Sequence, residues 1–150
     1  MTAQEAVQWN KAAFKAEVDR QLEMERLSEI EWVDYIPDPN NDLAYGMCKG
    51  TAENHRLLID RIFKDEEDAP VIIAHELGHH FDLLADPDPN TPAEERERRA
   101  NLYMIALGDR FELREFVIAV LRQWNLLERV RALGIELSPE GCTKISRTFP

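Results

Sequence analysis

The stretch Val71-Ile-Ile-Ala-His75-Glu76-Leu-Gly-His79-His80 constrains this chain more than any other. It sets two imidazoles four residues apart within a run that reads as a buried helix, the H-E-x-x-H pattern of zinc hydrolases. Side chains at i and i+4 share one helix face, so His75 and His79 can grip one metal ion while Glu76 lies a step further round. A zinc ion held by neutral imidazoles and one carboxylate keeps a position open, polarises a carbonyl and lowers the pKa of bound water to about 7. Glu76, outside the ligand set, is then placed as the general base.

The bland alternative is a structural helix that carries two histidines and a surface carboxylate. The flanking residues argue against it. Val71, Ile72, Ile73 and Ala74 lead in without a charge, and Leu77 and Gly78 fill the middle, so the motif is expected to enter the core. Gly78 costs about 1 kcal/mol against Ala in a helix, which predicts a close packing partner. Asp68 is expected to cap the helix, with Pro70 in the first turn where a missing N–H is harmless.

At 150 residues and 44% hydrophobic, the chain can bury one core, so a single domain is expected. Its parts are an N-terminal helix in 1–36, strands and metal-site helices in 43–108, and C-terminal helices in 109–150. The formal charge of −11 opposes attraction to nucleic acid or to anionic membrane, both of which reward Lys and Arg. The N-terminal residues lack a basic segment followed by an apolar run, and nowhere do 18 apolar residues follow one another, so a soluble, cytoplasmic protein is expected. Cys48 and Cys142 form no C-x-x-C pair and read as free thiols in a reducing compartment, outside the metal site.

Ala3 to about Ile30 lacks Gly and Pro, and Val7, Phe14, Val18, Leu22 and Ile30 recur at helical spacing, with Glu17 to Arg26 as the solvated face. Pro37 to Asp42 is a turn-rich linker. Leu43 to Cys48 and Arg56 to Asp60, separated by turn-forming residues, read as a β-hairpin. A strand beside a metal helix can pair its free edge with an extended peptide and hold the scissile bond over the metal. Asp86-Pro-Asp-Pro-Asn90 ends the metal helix, and Thr91-Pro-Ala-Glu94 supplies a capping box for a returning helix from Pro92 to about Leu107. A third ligand is expected on that helix, from Glu94, Glu95 and Glu97. Glu97 is preferred, because Ala100, Asn101 and Met104 continue a less charged face from it. Glu94 serves better as a cap. His55 is an alternative ligand, though a histidine at a turn reads more simply as a surface residue. Arg96, Arg98 and Arg99 read as the wet face. Asp109 to Glu112 is expected to cap a helix with core positions Phe116, Val117, Val120, Leu121 and Trp124. Asn125 to Glu128 is expected to cap another, stopped by Gly134. The tail after Gly141 shows no readable pattern.

Three stretches resemble the ImmA/IrrE metallopeptidases, small bacterial and phage proteins related to the gluzincins. They are His75-Glu-Leu-Gly-His79 after its apolar lead, Glu97-x-x-Ala100-Asn101-x-Tyr103, similar to that family's E-x-x-A-N-x-F signature, and Leu127 to Glu140. The resemblance implies Glu97 as third zinc ligand, and an α+β, mostly helical, zincin-like fold with a small β-hairpin beside the H-E-x-x-H helix. Met104-Ile-Ala-Leu-Gly-Asp109 departs from the family's A-A-x-L-L-M-P, which leaves substrate choice open. Asp82 and Ala85 stand where a metzincin would have Gly and His, which removes that ligand set.

The function expected is a zinc-dependent endopeptidase with one zinc ion on His75, His79 and Glu97, and Glu76 as general base. Asn101 and Tyr103 are candidates for second-layer support of the site or for contact with substrate. By the resemblance, the substrate is a protein or peptide such as a helix-turn-helix repressor of a phage or mobile element. The rival expectation is a non-catalytic, zinc-containing protein whose acidic surface binds and masks a basic regulatory partner.

Overall fold

A computed structural model of the chain describes residues 1–34, 45–50, 55–138 and 143–145. The 37–42 linker, the centre of the hairpin turn and Cys142 lie outside the described residues, as does the side chain of His55. The elements, in order, are α1 (Ala3–Met24), β1 (Glu31–Val33), β2 (Gly46–Gly50), β3 (His55–Asp60), α2 (Ala69–Ala85), α3 (Ala93–Arg110), α4 (Arg114–Gln123), α5 (Leu127–Ala132), β4 (Ile135–Leu137) and β5 (Thr143–Ile145). This is the expected α+β fold, mostly helical with a small sheet. Among the described residues no helix is long and apolar enough to cross a membrane.

Helix α2 is the hub, packed against α1, α3, β2 and β3. Its apolar residues account for this: Val71, Ala74 and Leu77 are fully buried, and Ile72 and Ile73 nearly so. Pro70 lies in the first turn as expected. Asp68 holds the N-cap position, but its carboxylate accepts from Trp124 Nε1 at 2.9 Å instead of capping a helix N–H. The expected hairpin forms, with β2 antiparallel to β3 and Gly46 opposite Ile59, but its first strand runs to Gly50 and not to Cys48. Strand β1 adds a parallel pairing to the other side of β3. It falls within the 1–36 segment expected as an N-terminal helix, and at three residues, Glu31–Val33, it is too short for a strand period to show.

Several helix ends differ from expectation, for one reason. Arg26, Glu112 and Asn125 adopt positive φ of 60°, 55° and 59°. The residue after each sends its N–H back to a carbonyl of the preceding helix: Leu27 to Leu22 at 2.7 Å, Leu113 to Gly108 at 3.0 Å and Leu126 to Leu121 at 2.7 Å. These are Schellman closures, in which an apolar residue after the left-handed position turns back against the helix. Without glycine at that position they leave no obvious sequence mark. Helix α1 therefore stops at Met24, not near Ile30, and Val7 is exposed while Phe14, Val18 and Leu22 are core. Asp109 lies inside α3, and Asn125 ends α4 instead of opening α5. Gly134, at φ 82°, does terminate α5. The chain then forms the β4 and β5 ribbon, which includes part of the tail that carried no pattern.

The Thr91 capping box does not form either. The Thr91 hydroxyl donates to Asp86 Oδ2 at 2.8 Å, and α3 starts at Ala93 with no side-chain cap. Arg96 and Arg99 are not a purely solvated face. Both reach across to Asp82 on α2, at 2.8 and 2.9 Å, and Arg99 also meets Asp86 at 2.7 Å and Glu95 at 3.1 Å. Arg98 pairs with Glu95 one turn back.

Candidate metal centre

Helices α2 and α3 cross antiparallel: His75 meets Asn101, Gly78 meets Ala100, His79 meets Glu97 and Asp82 meets Arg96. Gly78 makes this approach possible. A Cβ there would stand 2.8 Å from both the Cα and the carbonyl oxygen of Ala100, so the packing partner expected from the sequence is the backbone of α3.

The crossing brings together three donors predicted from sequence. His79 Nε2 lies 2.9 Å from Glu97 Oε1, and His75 Nε2 lies 3.3 Å from Glu97 Oε2. Ligand atoms of His75, His79 and Glu97 all fall within 4.8 Å of one another. Glu95, another candidate, is turned to Arg98 and Arg99 and is held below its ordinary pKa first by the Arg98 hydrogen bond. Glu94 takes no part in the group.

Asn101 is brought in as well. Its Nδ2 donates to the Glu97 carbonyl at 2.9 Å, which turns Oδ1 toward His75 Nδ1, 3.1 Å away. His75 Nδ1–H donates to this oxygen, which leaves Nε2 facing the cluster. A partner on the far nitrogen fixes the tautomer a metal needs. Tyr103 is not brought in. It is six residues from Glu97, about a third of a turn round α3 from it. Its hydroxyl donates to Gln21 of α1 and its ring lies against Phe81.

Glu76 is 3% exposed, with Oε1 3.8 Å from His75 Nε2 and Oε2 without a hydrogen-bond partner among the described residues. Burial pushes its carboxyl above the usual range, with Glu97 adding to the rise, against the pull of His75 and His79. Burial acts to lower the His75 imidazole, but hydrogen bonding to Glu97 and the charges of Glu76 and Glu97 outweigh it and raise it to about 9. Glu97 is the converse: hydrogen bonds from His75 and His79 overcome burial and hold it well below the carboxylate range. His75, His79 and Glu97 together form a compact imidazole and carboxylate cluster.

The donor set fits zinc. Imidazole nitrogen and carboxylate oxygen are its ordinary ligands at about 2.0–2.2 Å, and three protein ligands leave a further position for reacting groups. The orphaned, buried Glu76 oxygen beside them fits a proton acceptor better than a structural carboxylate, which would be hydrogen-bonded.

Two neighbours of the site escaped the sequence reading. Gly46, at the start of β2, lies directly on the Glu76 side chain, and a lone glycine in a strand is a signal for such an approach. Cys48, two residues on, is a half-buried free thiol, raised to about 12 first by burial and then by the Glu76 charge.

Comparison of the chain with protein-family models, with curated proteins and with solved structures returns no match.

Proposed function

We propose that this protein is a zinc-dependent endopeptidase of the ImmA/IrrE kind. One observation carries the reading: a buried carboxylate, Glu76, with an oxygen that has no hydrogen-bond partner among the described residues, stands beside a closed trio of metal-type donors, His75, His79 and Glu97. A zinc ion held by that trio supplies Lewis acidity toward a peptide carbonyl and toward water. Glu76 takes the proton of the attacking water on its free oxygen and delivers it to the leaving amine, a cycle suited to a carboxyl whose pKa burial has raised. Asn101 holds His75 in register. Strand β2 lies against α2 at the Glu76 turn and is an edge of the sheet among the described strands, so it offers an extended substrate a pairing surface beside the general base. The substrate proposed is a protein or peptide segment, with a repressor of a mobile element as the class the resemblance suggests.

The test is digestion of a proteome-derived peptide library, read by mass spectrometry. Zinc-loaded wild type should generate new termini, Glu76→Gln should bind zinc and generate none, and a chelator should abolish cleavage. Equal cleavage by Glu76→Gln would sink the mechanism. Zinc binding without cleavage by the wild type would turn attention to the masking of a basic partner, for which the −11 charge is the only support.

A further inference from the structure

Gly46 has an ordinary backbone conformation, since Gly134 is the glycine with positive φ among the described residues. Conformation therefore does not require glycine here. Space does. A Cβ built on Gly46 would stand 2.7 Å from Glu76 Cγ and 2.8 Å from Oε1, contacts that real Cβ atoms essentially never make, and 3.0 Å from Cδ, itself tighter than most. The Glu76 carboxylate has little room to retreat, because it is 3% exposed and its helix neighbours Ala74 and Leu77 are fully buried.

Gly46 is also pinned. The Tyr45 carbonyl accepts from Asp60 N–H at 2.8 Å, and Gly46 is paired with the fully buried Ile59 of β3. The Tyr45 ring packs edge-on against Phe63 and Trp124, at 5.4 and 5.7 Å between centroids. Trp124 is itself tied to Asp68 at the start of α2. The strand cannot easily lift to admit a side chain, so any added atom must be accommodated by Glu76.

We infer that Gly46 is a positioning residue for Glu76: the missing side chain lets strand β2 lie on the carboxylate, hold its direction and keep water off one side of it. This deepens the peptidase reading and rests on it for the catalytic consequence, whereas the packing relationship stands without it.

The experiment combines two mutant cycles. On zinc-loaded protein, Gly46→Ala should lower kcat by about tenfold or more, roughly the effect of losing 1.4 kcal/mol of transition-state stabilisation, while KM and zinc stoichiometry stay near wild type. Glu76→Asp keeps Cγ, 2.7 Å from the added methyl, but withdraws the outer carboxylate atoms that lie at 2.8 and 3.0 Å, so adding Gly46→Ala to it should cost less than in the wild type. An unchanged kcat in Gly46→Ala, or the same cost in both backgrounds, would overturn the catalytic part. The second cycle needs no activity. In the metal-free protein, Gly46→Ala should lower the thermal midpoint clearly, and should lower it little or not at all in a Glu76→Ala background, where the space is vacated. Equal drops would overturn the packing relationship. A wild type that turns over nothing would refute the peptidase reading and the catalytic role with it, and the stability cycle would still decide the packing.

Discussion

His75 Nδ1 lies 3.1 Å from Asn101 Oδ1, and the amide that holds this oxygen in place is fixed by its own donation to the Glu97 carbonyl. One side chain thus links the orientation of an imidazole on α2 to the backbone of the turn on α3 that presents the carboxylate. Asn101→Ala should weaken zinc binding by about 10–100-fold, the usual effect of removing such a partner. Asn101→Asp keeps an acceptor and should lose less. Competition against a zinc-chelating dye measures both, and full affinity in Asn101→Ala would show that the tautomer is set in another way.

Removing a ligand should be more drastic than removing its support. His79→Ala and Glu97→Ala should both fail to retain stoichiometric zinc after dialysis, measured by elemental mass spectrometry. Loss in His79→Ala alone would mean that a donor other than Glu97 completes the set.

The metal-free protein should show a pH dependence that zinc removes. His75 is raised from 6.5 to about 9, so its contribution to stability is fully present below pH 6.5 and is lost as pH climbs through about 9. Glu97 is depressed from 4.5, so its contribution is present above pH 4.5 and is lost on further acidification. The thermal midpoint of the stripped protein should therefore be highest between these limits and fall toward pH 9. Zinc must displace the His75 proton, so the stabilisation it adds should grow with pH over the same interval. A stripped protein equally stable at pH 6 and pH 9 would contradict the coupling.

Gly78→Ala should destabilise the fold despite the better helix propensity of alanine. Propensity favours the change by about 1 kcal/mol. The new methyl, however, meets backbone of Ala100 at 2.8 Å, which cannot rotate aside, and overpacking of this kind costs about 1–3 kcal/mol. Prying α2 from α3 also separates His79 from Glu97. Urea unfolding and zinc titration should worsen together, and a more stable variant would refute the close crossing.

Asp82→Ala should also destabilise, because it removes the shared acceptor of Arg96 and Arg99 from a buried position. Breaking a buried ion pair costs about 3–5 kcal/mol, and the lower end is expected since Arg99 keeps Asp86 and Glu95. Zinc affinity should change far less than stability, in contrast with Asn101→Ala.

The sequence by itself determined the helix that carries the H-E-x-x-H pattern, and with it two of the three donors, His75 and His79. His75, Glu76 and His79 are fixed by local spacing on one helix, and helical geometry is local. Glu97 was legible because a Pro-marked turn implies a returning helix, and because Ala100, Asn101 and Met104 trace its inward face. The packing role of Gly78 was legible for a similar reason, since an unfavourable residue in a helix needs a compensating contact. The hairpin showed in its turn composition and apolar segments.

Only the tertiary structure decided the rest. Tyr103 shares a sequence motif with Glu97 and Asn101, yet rotation along α3 sends it to Gln21 of α1. The arginines of α3 found acidic partners on α2 because the antiparallel crossing put them opposite Asp82, a pairing no single-helix pattern encodes. Helix ends at Arg26, Glu112 and Asn125 were set by what the next leucine could pack against, which overrode local capping signals. The contact of Gly46 with Glu76 joins residues thirty positions apart on a strand and a helix. Its glycine was visible in the sequence, but what occupies the space beside it depends on how β2 lies across α2.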